Sequence, residues 1–251
     1  VLEVGVDGRP IYGSAANANN AFITKPGYPI ASFYGYKYIG VFQSEEELAK
    51  YPHLSGDKVG DGRYEDVNKD GVLDQNDKTI LGDNNPLFTA GFSNSFSYKN
   101  FTLDIQFTGS YGAEVFSFYK RMCGIYHGDR NGMIEQLGRW QSKDQPGDGI
   151  HFRPTRTPSG WQRDPSSAWV QDASYLRLRN LTLGYNFDQK VLDKMKMKGL
   201  RLYVTGQNLF TITNYVGYDP ETSSESGLAQ GGDYLGYPAA RSFIIGANIT
   251  F

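Results

Sequence analysis

The stretch F-T-A-G-F-S-N-S-F-S-Y-K-N-F-T-L-D-I-Q-F-T-G-S-Y, residues 88–111, decides the fold class. Phe88, Ala90, Phe92, Phe96 and Tyr98 share one parity, with Asn94 as the exception, while Thr89, Gly91, Ser93, Ser95 and Ser97 share the other. After Lys99 and Asn100 the pattern restarts, with Phe101, Leu103, Ile105, Phe107 and Tyr111 set against Thr102, Asp104, Gln106, Thr108 and Ser110. A two-residue period predicts strands, because successive side chains leave a strand on opposite sides. Lys99-Asn100 then reads as a tight hairpin turn. An Asp and a Gln in mid-strand point to a wet second face, not to the dry core of a sandwich. Phe88 to Tyr98 and Phe101 to Tyr111 each bracket ten residue steps. At about 3.3 Å per residue and a tilt of about 40°, such a span rises roughly 25 Å, the height of the apolar band between the aromatic girdles of a transmembrane barrel.

The same alternation closes the chain. In R-S-F-I-I-G-A-N-I-T-F, residues 241–251, Phe243, Ile245, Ala247, Ile249 and Phe251 are apolar on one parity. The other parity is small or polar apart from Ile244. Further strands are predicted near Ser32 to Phe42, over Tyr175 to Phe187, and through Leu200, Leu202, Val204 and Phe210. In the second of these the apolar parity slips between Leu178 and Leu181, which predicts a bulge near Arg179-Asn180. That slip would turn Arg177 and Arg179 away from lipid. The expected fold is all-β, an antiparallel transmembrane β-barrel segment of about six strands with long extracellular loops. Residues 1–26, rich in Gly, Ala and Asn, read as the end of a preceding strand and an irregular connection. Residues 27–251 read as barrel.

Composition agrees. Of 251 residues, 18 are Tyr, 15 Phe and 30 Gly, with only 39% hydrophobic. Many aromatics and glycines with few aliphatics suit strands and turns rather than helical packing. No apolar run reaches the roughly 20 residues of a membrane helix. A net charge of −2 gives no reason to expect nucleic acid as a partner. The single Cys123 forms no internal disulfide. With no initiator Met and no signal peptide, the chain reads as the C-terminal piece of a longer precursor.

Between the strands, Ser44-Glu-Glu-Glu47 has capping-box spacing and predicts a short helix to about Tyr51. Polar loop sequence runs on to Asn85, and residues 112–173 form a second long irregular segment. Within the first, Asp66, Asn68, Asp70, Val72, Asp74 and Asp77 fall at positions 1, 3, 5, 7, 9 and 12 of a calcium loop, with Gly71 at position 6. Calcium is the cofactor this spacing would take; an acidic turn held by Asx hydrogen bonds is the alternative. Trp140, Trp161, Tyr218 and Tyr234 lie in outer loops and are the substrate-facing candidates, since aromatic faces stack on sugars. His53, His127 and His151 lack zinc-ligand spacing. No nucleophile elbow, phosphate loop or triad pattern occurs, and Asp219 and Glu221 read as structural, so no enzyme is expected.

Several stretches resemble the SusC/RagA-like family of TonB-dependent outer-membrane transporters. They are D-V-N-K-D-G-V-L-D-Q-N-D-K from Asp66, the 88–111 hairpin, D-A-S-Y-L-R-L-R-N-L-T-L-G-Y-N-F from Asp172, V-T-G-Q-N-L-F from Val204, G-Y-D-P-E from Gly217, and the closing strand. The resemblance runs in order from about Gly27 to Phe251. It implies a barrel of about 22 strands in the bacterial outer membrane, of which this chain supplies about the last six. It also implies import of oligosaccharides or peptides with a SusD-like surface lipoprotein, energised through TonB by an N-terminal part outside this sequence. Lys99-Asn100 and Asp188 to Gly199 would then face the periplasm, and residues 43–85, 112–173 and 211–240 the outside. The rival reading is a secreted calcium-binding β-sandwich, a carbohydrate-binding or adhesin module. A glycoside hydrolase fragment would need two placed carboxylates, and none stand out.

Overall fold

A computed structural model describes residues 1, 3–4, 8–15, 18–124, 131–154, 164–222 and 227–251. The strands are β1 (Ile11–Ala15), β2 (Ala18–Thr24), β3 (Ser32–Gly35), β4 (Tyr38–Val41), β5 (Gly62–Tyr64), β6 (Thr79–Gly82) and β7 (Phe88–Tyr98). They continue as β8 (Phe101–Tyr111), β9 (Glu114–Ser117), β10 (Val170–Asp172), β11 (Tyr175–Asn186), β12 (Gly199–Thr213), β13 (Gly232–Asp233) and β14 (Ser242–Thr250). The α-helices among the described residues are α1 (Glu45–Lys50), α2 (Phe118–Gly124) and α3 (Gln189–Met195). The chain divides into two units. The first holds residues 1–85, 114–171 and 221–236; the second holds 86–113, 172–220 and 237–251.

The second unit is a five-stranded antiparallel sheet in the order β14-β12-β11-β8-β7. Phe88 pairs with Tyr111 and Tyr98 with Phe101, so the hairpin has the register its alternation predicts, with Lys99 at φ 52° in the turn. The bulge is also where the parity slips. Against β8, Leu178 pairs with Phe107 and Asn180 with Gln106, leaving Arg179 unopposed. β12 answers with its own irregularity, since Leu178 faces Phe210 and Asn180 faces Gln207. Phase is thereby kept across the sheet. Phe96, Leu103, Leu183, Val204 and Ile245 form one cross-strand row. One step along, Ser95, Asp104, Thr182 and Thr205 form a row on the opposite face.

The first unit is built from short strands around aromatic side chains. β1-β2-β3-β6 form one sheet, β10-β9-β13 a second and β4-β5 a third pair. Phe22, Phe33, Phe116, Phe118, Phe152 and Trp169 are the large members of its core. Phe22 meets Phe33 edge-on at 5.7 Å between centroids, and Phe116 lies 5.0 Å from Phe118. Burying such a side chain stabilises by about 1.5–3 kcal/mol.

Three expectations change here. Where residues 1–26 were expected to be a strand end and an irregular connection, the described residues 11–15 and 18–24 pair as β1 and β2 and place Phe22 in the core. The strand expected over Ser32 to Phe42 is two strands. Gly35 lies so close to the Pro165 carbonyl that a Cβ there would overlap it, and the Tyr36 N–H donates to that carbonyl at 2.9 Å. The chain thus leaves β6 for residues 165–167 before pairing with β5. The long sheet therefore has five strands from this chain, not six. Within the 43–85 stretch, β5 and β6 add strands where only loop was expected.

The helix α1 forms as its capping residues dictate. Ser44 Oγ accepts the Glu47 N–H at 3.2 Å, and Glu47 Oε2 accepts the Gln43 N–H at 3.0 Å.

Candidate functional site

The polar face of the long sheet carries several side-chain hydrogen bonds. Ser95 Oγ donates to Asp104 Oδ1 at 2.6 Å, and the Thr182 and Thr205 hydroxyls lie 2.8 Å apart. Arg179 Nε donates to Thr108 Oγ1 at 3.0 Å, as the bulge requires if its guanidinium is to reach the polar side. Arg177 Nη2 donates to Asp219 Oδ1 at 2.6 Å, and Asp219 Oδ2 accepts the Ala239 N–H at 2.9 Å. Asp219 therefore ties both ends of the 214–241 connection to β11, the structural role expected of it.

The apolar face is exposed. Phe96, Leu183, Val204 and Ile245 are all exposed, Ile245 at 83%. Phe88, Tyr98, Phe101 and Tyr111 stand exposed at the two ends of the hairpin. Connectivity distinguishes the two edges. The Lys99-Asn100 turn and the connection through α3 join strands at one edge, where β14 also ends. The three segments of the first unit join the strands at the other edge, before β7, between β8 and β11, and between β12 and β14.

In the acidic loop each side chain holds the backbone. Asp66 Oδ1 accepts the Lys69 N–H at 2.7 Å and Oδ2 the Gly71 N–H at 2.8 Å, with Gly71 at φ 84° and Lys69 at φ 60°. Asn68 accepts from Asp70, and Asp70 from Val72, at 2.9 Å each. Asp74 Oδ1 accepts the Asn76 N–H at 2.7 Å and begins the short 3₁₀ turn Gln75–Asp77. Asp77 is fully buried and closes the loop, accepting the Val67 N–H at 2.9 Å and the Asp74 N–H at 2.8 Å. Among the described residues, no three His, Cys, Asp or Glu side chains form a metal-holding group.

Among the described residues of the first unit, the aromatic candidates Trp140 and Tyr234 have separate partners. Trp140 is half-buried against the core of the first unit, beside Gly60 and Arg153. Tyr234 stacks on Phe118 at 4.4 Å and is 42% exposed. Tyr218 belongs to the second unit and is 66% exposed. Trp161 and His127 lie outside the described residues. Sequence reading missed Phe152 and Trp169 as a pair. No spacing rule joins them; only the packing of two separate segments does.

The chain is thus all-β, with a long antiparallel sheet that has one hydrogen-bonded polar face and one largely exposed apolar face. No family model matches the chain. Relatives do. TonB-dependent receptor P3 of Formosa agariphila is 35% identical over 236 residues, covering 91% of this chain and 23% of the relative. TonB-dependent receptor P26 of the same organism is 32% identical over 94% of the chain. TonB-dependent receptor SusC of Bacteroides thetaiotaomicron is 26% identical over 95% of the chain and 21% of its own length. Among solved structures, the RagAB peptide transporter matches with a TM-score of 0.73 at 21% identity, covering 96% of this chain and 24% of that one. The RagAB peptide importer in its open-open state matches with a TM-score of 0.70 at 23% identity. Over more than nine-tenths of its own length the chain is thus similar to part of these TonB-dependent receptors, SusC among them, and its place is the outer membrane. It spans about a quarter of the length of the relatives it matches.

Proposed function

We propose that the five-stranded sheet is a section of transmembrane barrel wall in an outer-membrane nutrient importer. The imported nutrient is an oligosaccharide or a peptide, a SusD-like surface lipoprotein works with the outer segments, and TonB supplies the energy through the rest of the receptor. The observation that carries this reading is the bare apolar row Phe96, Leu103, Leu183, Val204 and Ile245. In water each exposed side chain of this kind forgoes about 1.5–3 kcal/mol of burial. In a bilayer the same row costs nothing, while the strands pair their backbone groups with one another. A β-sandwich would need a second layer over that face, and against that reading stands the exposure of Phe96, Leu183, Val204 and Ile245.

Topology supplies the test. In a Cys123→Ala background, cysteines replacing Ser55 and Lys143 should react in intact cells with a membrane-impermeant thiol reagent. A cysteine replacing Lys190 should react only after the outer membrane is breached. The reverse pattern would overturn the orientation and the roles that depend on it.

For the acidic loop we propose calcium held by Asp66, Asn68, Asp70, Val72, Asp74 and Asp77. Each carboxylate oxygen bonded to a backbone N–H keeps a second lone pair, and a modest turning of side chains would aim these at one ion. The expected result is calcium-dependent protection of residues 66–77 in hydrogen exchange, lost in Asp70→Ala. Protection unchanged by calcium would leave the Asx network as the loop's whole role.

A further inference from the structure

The edge of the long sheet that carries the Lys99-Asn100 turn and α3 is strongly basic. Residues 98–101 and 187–199 hold five lysines, Lys99, Lys190, Lys194, Lys196 and Lys198, against two aspartates, Asp188 and Asp193, in a chain of net charge −2. All five lysines are exposed. Neither aspartate neutralises them by contact. Asp188 Oδ1 accepts from Asn100 Nδ2 at 2.8 Å, and Asp193 Oδ1 accepts from Gln189 Nε2 at 2.8 Å. Among the described residues, no ion pair engages any of the five ammonium groups.

These lysines sit on a fixed frame. The Asn100–Asp188 bond joins the two turns, and the Asn186 N–H donates to the Asn100 carbonyl at 2.8 Å. The Lys198 N–H donates to the Thr250 carbonyl at 2.8 Å, and Lys196 ends α3 in the left-handed conformation at φ 55°. Like charges gathered at one edge repel one another, a cost that a phosphate-rich surface turns into attraction.

The position of the edge says what that surface is. The last row of the apolar face is aromatic: Tyr98 pairs with Phe101 and Phe101 with Tyr185, the last two with ring centroids 4.9 Å apart. Phe187 adds a further ring 5.0 Å from that of Tyr185. In a barrel such rows sit at headgroup level. Lys99 is the next residue beyond the row and reaches back to it, its ammonium 5.4 Å from the centre of the Tyr98 ring, which is 72% exposed. In α3, Val191 and Met195 lie one turn apart and are exposed beside Lys190 and Lys194. Exposed apolar side chains interleaved with lysines are the make-up of a segment that rests on a bilayer interface.

We propose that this edge binds the phosphate groups of anionic phospholipids in the leaflet it meets. The proposal rests on the barrel-wall reading, since that reading brings the edge to headgroup level. An ammonium donates three hydrogen bonds and accepts none, so phosphate oxygens complement it. A zwitterionic headgroup presents its own cation as well and is held less well. Near an anionic surface each lysine contributes roughly five-fold in binding.

The test uses the full-length receptor purified in neutral detergent, with native mass spectrometry to count retained lipid. The probes are phosphatidylglycerol and phosphatidylcholine with identical acyl chains, so that only the headgroup differs. The wild type should retain phosphatidylglycerol in preference, and less so as ionic strength rises. Lys99→Gln, Lys190→Gln, Lys194→Gln and Lys198→Gln together should lower that preference about ten-fold or more. Lys→Arg at the same four positions should keep it. So should Lys50→Gln, Lys58→Gln and Lys143→Gln together, at exposed positions of the first unit. Equal retention of the two lipids would overturn the proposal and leave the lysines to water or to an acidic protein, while the barrel-wall reading stood. A preference that survives the four Gln substitutions, or that falls as far in the first-unit variant, would overturn it equally. Retention of neither lipid would instead count against the barrel-wall reading, and the proposal would fall with it.

Discussion

The two units of this chain handle apolar surface in opposite ways. In the first, Phe22, Phe33, Phe116 and Phe118 are fully buried around one another. In the second, residues of the same type, Phe88, Phe92, Phe96 and Phe101, are more than half exposed. Both draw on one amino-acid vocabulary, so composition does not separate them. Arrangement does. Short strands that change partners enclose a core, whereas long strands with a two-residue period, kept in phase across the Arg179 bulge, present an apolar face. The first unit carries its own apolar solvent, and the second needs one from outside.

The largest expected effect falls on the buried side of this contrast. Phe22→Ala should cost about 3–5 kcal/mol, the range for emptying an aromatic core position. Limited proteolysis of the membrane-embedded receptor should then cut within the first unit while the long strands stay protected. Loss of the strands as well would show that the units do not stand as separately as their cores suggest.

A somewhat smaller effect belongs to the bare face. Val204→Arg should destabilise by about 2–4 kcal/mol if that face lies near the bilayer midplane, whereas Thr205→Arg on the polar face should be tolerated far better. Heat-modifiable migration of the receptor on gels measures both. Equal tolerance of the two substitutions would remove the distinction between the faces.

The long strands were legible in the sequence because each is long enough to display its period. The Phe88–Tyr98 and Phe101–Tyr111 boundaries and the Arg179 bulge needed only parity counting. α1 was legible because Ser44 and Glu47 carry their own capping chemistry. The first unit was not. β5, β6 and β13 are two to four residues long, too short for a period, and their partners are distant in sequence. The break between β3 and β4 depends on the Pro165 carbonyl, which no local pattern at Gly35 could announce. The acidic loop was legible as a spacing, but the sequence left open what that spacing holds; here the oxygens are bonded to the loop's own backbone. Phe152 and Trp169 were hidden for the same reason as the short strands, since they meet only through tertiary packing.

The central claim is that one face of β12 meets lipid and the other does not. Spin labels placed singly at positions 202, 203, 204 and 205, in a Cys123→Ala receptor reconstituted into bilayers, test it directly. Collision rates with oxygen, which concentrates in lipid, and with a water-soluble nickel chelate should alternate in opposite phase. Positions 202 and 204 should favour oxygen, and positions 203 and 205 should not. Four positions with the same ratio, or a preference for the nickel chelate at 202 and 204, would contradict the account.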